Sequence, residues 1–374
     1  MRRRVTPGIV LAALALSIGV QSPAIGQSVL SVCDYTPPES RLERLNLQGS
    51  FQWYDGPFAD DRTRTVSLTA AADYGALVSS EPYGRRLDLY AEARTAADAW
   101  SLDLRGDGDL KAFLDGDVFG LGAFGVDASL ESLEVDLTAG VGSGRFRDVT
   151  PLAKAIRLQN ALLDLGTLLA PLDRDQLLTI ARTVGEVGPT DEERVVGVSE
   201  QLAATELLRD DGVDVLALLA IEEALASSEG GRLCGSDVQA RVGLAAILLP
   251  ELSIASTGSL LYNAAFVPDP VSQLLSDASV KVRLAHLGEL SAELNASYLR
   301  RLPDGWTARF AYRFVLDRGW SRADRTTVDH DLSASLTTQL FGAIGLSLAG
   351  ELRYGSGDEE LTSSLTVHLA YDLF

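Results

Sequence analysis

Positive charge is scarce in this chain. Asp and Glu number 52 against 32 Lys and Arg, giving a net charge of −20 and a pI near 4.5. A nucleic-acid partner is excluded on that balance, because its phosphates would be repelled. Lysine occurs only at 111, 154 and 281, so arginine supplies most of the cations. Two cysteines, Cys33 and Cys234, and three scattered histidines are too few for a zinc site. Phosphate-loop chemistry is missing too. "GDGD" (Gly106–Asp109) and "GSGR" (Gly142–Arg145) read as turns, without the Lys and helix start that such a loop needs. No cofactor or metal is therefore expected.

Catalytic constellations are equally thin. His330 stands between Asp329 and Asp331, but in a strand those neighbours point to the opposite face and do not orient it. His286 and His368 have no serine motif around them. A non-enzymatic protein is expected, with a lipid hydrolase built on an outward Ser–His pair as the least favoured reading. Long hydrophobic runs are missing as well. Beyond the N-terminus no segment holds some twenty consecutive apolar residues, so no transmembrane helix is expected.

What is present begins at the N-terminus. "MRRR" is followed by the apolar run Gly8–Val20 and by small residues up to Gly26. This is the layout of a secretory signal peptide covering 1–26. Export places the two cysteines in an oxidising compartment.

The middle of the chain is helical by spacing. From Pro151 to about Ser228 apolar residues recur every three or four positions. Asp173 with Gln176 and Thr190 with Glu193 have the spacing of capping boxes, and Gly166 that of a helix end. Three to five helices follow from this pattern, enough for a small bundle. The acidic pairs in "TDEE" and "IEEA" read as solvated helix faces.

Both flanks alternate with a period of two instead. In "GAIGLSLAGELRY", Ile344, Leu346, Leu348, Leu352 and Tyr354 share one parity and Ser347, Glu351 and Arg353 the other. "WTARFAYRF" sets Trp306, Phe310, Tyr312 and Phe314 against Arg309 and Arg313. A soluble sandwich or a membrane barrel gives such a pattern. The runs reach ten residues or more, the length of a tilted bilayer-crossing strand, whereas sandwich strands average five or six. Aromatics such as Trp53, Tyr74, Tyr298 and Tyr371 on the apolar parity suit interfacial girdles. The barrel is the better reading.

Six strands are expected before the helices, the last ending near 143, and eight after them from about 236. The total is fourteen, with twelve as the alternative because 99–130 and 251–277 alternate poorly. The chain then divides into 1–26 (signal peptide), 27–43 (N-terminal segment), 44–145 (strands one to six), 146–234 (helical insert) and 235–374 (strands seven to fourteen). With the N-terminus in the periplasm, an insert after an even-numbered strand is periplasmic. Cys33 and Cys234 then share that rim, and a disulfide between them is expected.

The signal peptide, the alternating strands and a final strand closing on Phe374 resemble bacterial outer-membrane β-barrel proteins. The resemblance covers the two β flanks and implies an antiparallel up-and-down transmembrane barrel in the outer membrane. It also implies outer-membrane lipid and the barrel-assembly machinery as partners, the latter reading the last strand. Leu369, Tyr371 and Leu373 are the candidate assembly signal together with Phe374, although Phe374 falls on the other parity. In the helical insert no family resemblance is recognised.

Two functions are expected from different classes. The first is a passive channel for small hydrophilic solutes. Its candidate lumen and selectivity residues are Arg94, Arg105, Arg241, Arg283, Arg309, Arg313, Asp88, Glu293, Asp329 and Glu351, which either polarise a constriction or neutralise one another and seal it. The second is an anchoring protein whose insert, 146–234, binds a periplasmic protein or the cell wall, since turns on that side are normally short.

Overall fold

A computed structural model describes residues 30–374 apart from Pro38, Val187 and the stretches 56–63, 97–98, 210–211, 227–230, 250–251, 285–287, 303–304, 320–325, 342–343, 356–360 and 372–374. The signal-peptide segment lies outside the described residues, as do His286, Leu373 and Phe374.

Fourteen strands form one sheet in strict sequence order, each antiparallel to its neighbours. Before the helices come β1 (Glu39–Asp55), β2 (Arg64–Ser80), β3 (Tyr83–Ala96), β4 (Ala99–Asp115), β5 (Val118–Ser129) and β6 (Leu133–Asp148). After them come β7 (Leu233–Leu249), β8 (Ser253–Phe266), β9 (Ser272–Leu284), β10 (Glu289–Arg301), β11 (Thr307–Gly319), β12 (Thr326–Phe341), β13 (Ile344–Gly355) and β14 (Leu361–Tyr371). The alternative of twelve is overturned. β1 and β14 approach within 8 Å, Cα to Cα, so the sheet curls back on itself.

Two stretches that read as turns are strand instead. "GDGD" lies inside β4 and "GSGR" inside β6. In β4 the glycines take the outward parity, where large neighbours leave no room for a side chain. A Cβ on Gly108 would stand 2.4 Å from the Phe124 ring. The alternation is therefore present in β4, but its apolar half is supplied partly by the strand next door.

The surface polarity is inverted relative to a water-soluble protein. On β7, Asp237 and Gln239 are buried inside, while Val238, Val242 and Leu244 on the opposite parity are exposed. Leu110 and Leu137 are likewise exposed on the outer face, with Leu260, Phe310 and Leu365 farther round the sheet. Water-soluble monomers rarely expose an apolar patch beyond a few hundred Å². Lipid accepts such a belt and tolerates strands only when their backbone groups are paired in a closed sheet.

Four helices join β6 to β7 among the described residues: α1 (Thr150–Asp164), α2 (Arg174–Val184), α3 (Asp191–Ala203) and α4 (Val215–Ala226). Both expected capping boxes are formed, Asp173 with Gln176 and Thr190 with Glu193. Gly166 follows α1 at φ +69°, the left-handed conformation that ends a helix at small cost for glycine. Leu152, Leu162, Ile180, Val198, Leu202 and Ile221 are fully buried between the helices. Near their base, Cys33 and Cys234 form a disulfide with Cα atoms 5.4 Å apart. Cys234 is the second residue of β7 rather than preceding it. The Tyr35 hydroxyl donates to the Ala181 carbonyl at 3.4 Å, which brings the N-terminal segment against α2.

Candidate functional site: the barrel interior

The period of two sends every second side chain inward, and the inward set is charged. How these charges meet differs around the barrel. Along β4 to β9 several pair across the interior, between strands that are not neighbours. Lys111 on β4 reaches Asp237 on β7 at 2.5 Å, with two strands between them in the sheet. Asp237 also accepts from Gln239 at 2.9 Å and from Asn263 at 2.7 Å, and it is 1% exposed. Arg241 donates to Gln239 at 2.9 Å and stands 3.8 Å from Asp109 on β4. Arg86 pairs with Asp88 on the same wall at 2.5 Å. A second set of cross-interior contacts links β6 to β9, Asp136 to Lys281 at 3.0 Å and Glu134 to Arg283.

The end that carries the helices is closed on the same side. Arg145 donates to the carbonyls of Ser80, Glu81 and Gly116, gathering the β2–β3 and β4–β5 turns under its guanidinium. That guanidinium lies 3.8 Å from the centre of the Phe113 ring, and the ammonium of Lys111 lies 4.9 Å from that of Phe119. The two rings meet edge to face at 5.6 Å. The backbone of Asp148 donates to the Ser40 hydroxyl at 2.9 Å, drawing the end of β6 to the start of β1.

Glycine makes this closeness attainable. At Gly142 a Cβ would lie 2.5 Å from the Phe119 ring. At Gly144, φ is +117° and a Cβ would lie 2.0 Å from the Ser236 carbonyl. β6 therefore bends against β7 as no side-chain-bearing residue would allow.

From β10 to β13 the ion pairs among the described residues lie within one strand or between adjacent strands. Arg313 bridges to Glu293 at 2.8 Å, and Arg353 to Asp331 at 2.8 Å and Glu351 at 2.9 Å. The Arg313 and Arg353 side chains remain 54% and 62% exposed, so water reaches this wall along the interior. Arg309 is exposed on the same row, and Asp329 is half-buried one strand away.

The expected lumen residues thus fall on both walls rather than in one ring. Asp88, Arg241 and Arg283 belong to the packed side, while Arg309, Arg313, Glu293, Asp329 and Glu351 belong to the wet side. Arg94, 2.6 Å from Glu92, and Arg105, 3.6 Å from Asp127, are exposed toward the end away from the helices. Sequence reasoning missed Asp237, Gln239, Lys111 and Asp109. The signal was parity, since Asp109 and Lys111 continue the row of Asp103 and Arg105. Leu369 and Tyr371 lie on β14, paired with Leu346 and Ile344.

On the outer face, His330 meets Tyr312, whose hydroxyl lies 2.9 Å from Nδ1, and Phe314 at 5.2 Å between ring centres. Beside the barrel, burial pushes the Lys154 ammonium below its usual range, and nearby Arg157 adds to that shift. The Lys154 ammonium donates to the Leu225 carbonyl at 2.7 Å, at the end of α4. Among the described residues no cluster of His, Cys, Asp and Glu is arranged to hold a metal ion.

No family model matches the chain, and no curated protein is similar to it in sequence. Several solved structures are similar in outline. A loop-deletion mutant of OmpT, an outer membrane protein of Vibrio cholerae, overlays with a TM-score of 0.35 at 7% identity, covering 89% of this chain and 99% of that one. The CymD monoaromatic hydrocarbon channel gives 0.30 at 9%, covering 91% and 90%. The translocator domain of the autotransporter NalP from Neisseria meningitidis gives 0.26 at 9%, covering 97% of each chain. Overlays this loose carry no weight for function. The class is defined by the chain's own features: a single up-and-down sheet curled on itself, charged within and apolar without. That is a membrane-spanning β-barrel, a fold found in bacterial outer membranes.

Proposed function

We propose that this protein is an outer-membrane channel for small hydrophilic solutes, with a preference for cations over anions. The observation that carries the reading is the wet charged wall from β10 to β13, where Arg313 and Arg353 remain more than half exposed inside the barrel. A barrel of about fourteen strands is also wider than the eight-stranded kind whose interior side chains fill it.

The preference for cations follows from the inward rows. From β3 to β6 the inward rows hold Asp88, Glu92, Asp103, Asp107, Asp109, Asp127, Glu134 and Asp136 against Arg86, Arg94, Arg105 and Lys111 on the same strands. A low-dielectric cylinder lined with excess carboxylate concentrates counter-ions and repels anions. The helices stand on the periplasmic side in this reading, which the signal-peptide layout and the even strand number support. Assembly would proceed through the barrel-assembly machinery.

Planar-bilayer recording tests it. Steps of conductance are expected, with a reversal potential under a KCl gradient whose sign favours K⁺. Silence from folded, membrane-inserted protein would overturn the channel; a reversal potential favouring Cl⁻ would overturn the selectivity.

A further inference from the structure

The helix α4 is apolar on nearly every side, a composition expected of a helix that is covered all round. Among the described residues it is covered on one side only. Ala217 and Ile221, one turn apart, are fully buried against the other helices. Opposite them, Val215, Leu216 and Leu219 are 71%, 58% and 54% exposed. The helix is well made despite this: the Asp214 carboxylate accepts from the Ala217 backbone at 2.7 Å, and Lys154 caps the far end. An exposed strip on a helix held so firmly is a surface and not a frayed end.

Acids bound the strip. Asp214 precedes it, and Glu222 and Glu223 close it, all exposed. The whole stretch from 150 to 226 has fourteen acids against six bases. This charge selects among occupants. An anionic lipid surface would be repelled. In a second copy packed antiparallel, Asp214 would face Glu222 and Glu223, acid against acid; packed parallel, each acid would face itself. A cationic partner meets apolar with apolar and acid with base.

We propose that the exposed face of α4 docks an amphipathic helix of another protein, one with leucine-like residues at i, i+3, i+4 and i+7 and Lys or Arg flanking them. The inference does not rest on conduction, and a closed barrel would present the same surface.

The test uses the full-length protein in nanodiscs, which cover the apolar barrel exterior. The probe is a synthetic helical peptide of about 18 residues with a leucine stripe flanked by lysines. Its twin has glutamates in place of the lysines. Binding is followed by fluorescence anisotropy. The lysine peptide should bind at least about tenfold tighter than its twin, the size of a modest electrostatic discrimination. Leu216→Gln with Leu219→Gln should abolish most of that binding; both residues are exposed, so the fold is spared. Glu222→Lys with Glu223→Lys should reverse the preference between the peptides, a readout that misfolding would not give. Equal binding of both peptides, binding of neither, or binding unmoved by the α4 substitutions would overturn the proposal. So would self-association that vanishes with Leu216→Gln and Leu219→Gln, because the strip would then belong to a second copy.

Discussion

The wall from β4 to β7 and the wall from β10 to β13 share one sequence rule and reach opposite outcomes. Both alternate apolar and polar residues, and both turn acids and bases inward. On the first wall Asp109, Lys111, Asp237 and Arg241 are largely buried and pair across the interior. On the second the charges stay in water and pair along the sheet. The difference lies in the backbone rather than in the charges. β6 carries Gly140, Gly142 and Gly144 on its inward parity, and these let Phe119 and the β7 backbone approach closely. Strands drawn in this way bring Lys111 within reach of Asp237. The inward rows of β10 to β12, Glu293, Asn295 and Ser297, then Arg309, Ala311 and Arg313, then Asp331, Ser333 and Ser335, hold side chains throughout. Curvature there stays open, so a charge meets partners on its own or the adjacent strand. The number of inward charges is thus a poor guide to whether a barrel is open. The volume left beside them decides.

The largest test of this contrast is Asp237→Ala. The carboxylate is 1% exposed and accepts from three side chains. Removing it strands the Lys111 ammonium in a buried site, a change that costs about 3–5 kcal/mol. The urea midpoint of the lipid-reconstituted barrel should fall accordingly, and any conductance should rise as the cross-interior link is lost. An unchanged midpoint would mean that the packed wall is not packed.

Gly142→Val is expected to do less. Its methyl groups would enter the space of the Phe119 ring, already 2.5 Å from a bare Cβ. Overpacking of this kind costs about 1–3 kcal/mol. The informative companion is Phe119→Ala in the same chain. If glycine is there to admit the ring, the double variant should recover part of the loss of the glycine variant, as contacting residues do in a double-mutant cycle. Additive losses would mean that the bend of β6 has another cause.

These cross-interior contacts were the part of the molecule that sequence could not supply. Strand and helix positions were legible because alternation, caps and turns are local. Asp173 and Thr190 announced two helix starts by spacing alone, and the strands after the insert could be placed within a few residues. The meeting of Cys33 with Cys234 was legible from compartment and strand parity. In β4 the reading faltered for a physical reason. Gly106 and Gly108 hold outward positions that Leu89 and Phe124 overhang from neighbouring strands, so the apolar half of the alternation is missing from β4 itself. Asp109 and Lys111 dropped out of view with it. No local pattern reports that β4 and β7 face each other across the interior, since that depends on where a sheet of fourteen strands bends. Likewise the spacing of α4 marked Glu222 and Glu223 as solvated but did not tell which of its apolar residues stay uncovered.

The smallest expected effect sits on the wet wall. Arg313 bridges to Glu293 at 2.8 Å, with the arginine side chain 54% exposed. Exposed pairs of this kind contribute about 0–1 kcal/mol, so Arg313→Ala should leave the urea midpoint almost unmoved. Its signature is instead electrical. Losing one cation frees Glu293 and makes the interior more negative, and the reversal potential under a KCl gradient should shift further toward K⁺. Glu293→Gln, the matched change of opposite sign, should shift it back by a similar amount with equally little effect on stability. If Arg313→Ala destabilised the barrel as severely as Asp237→Ala, the two walls would be alike and the contrast would fail. A stable variant whose selectivity did not move would place the ion path away from β10 to β13, against the side where water reaches the charges.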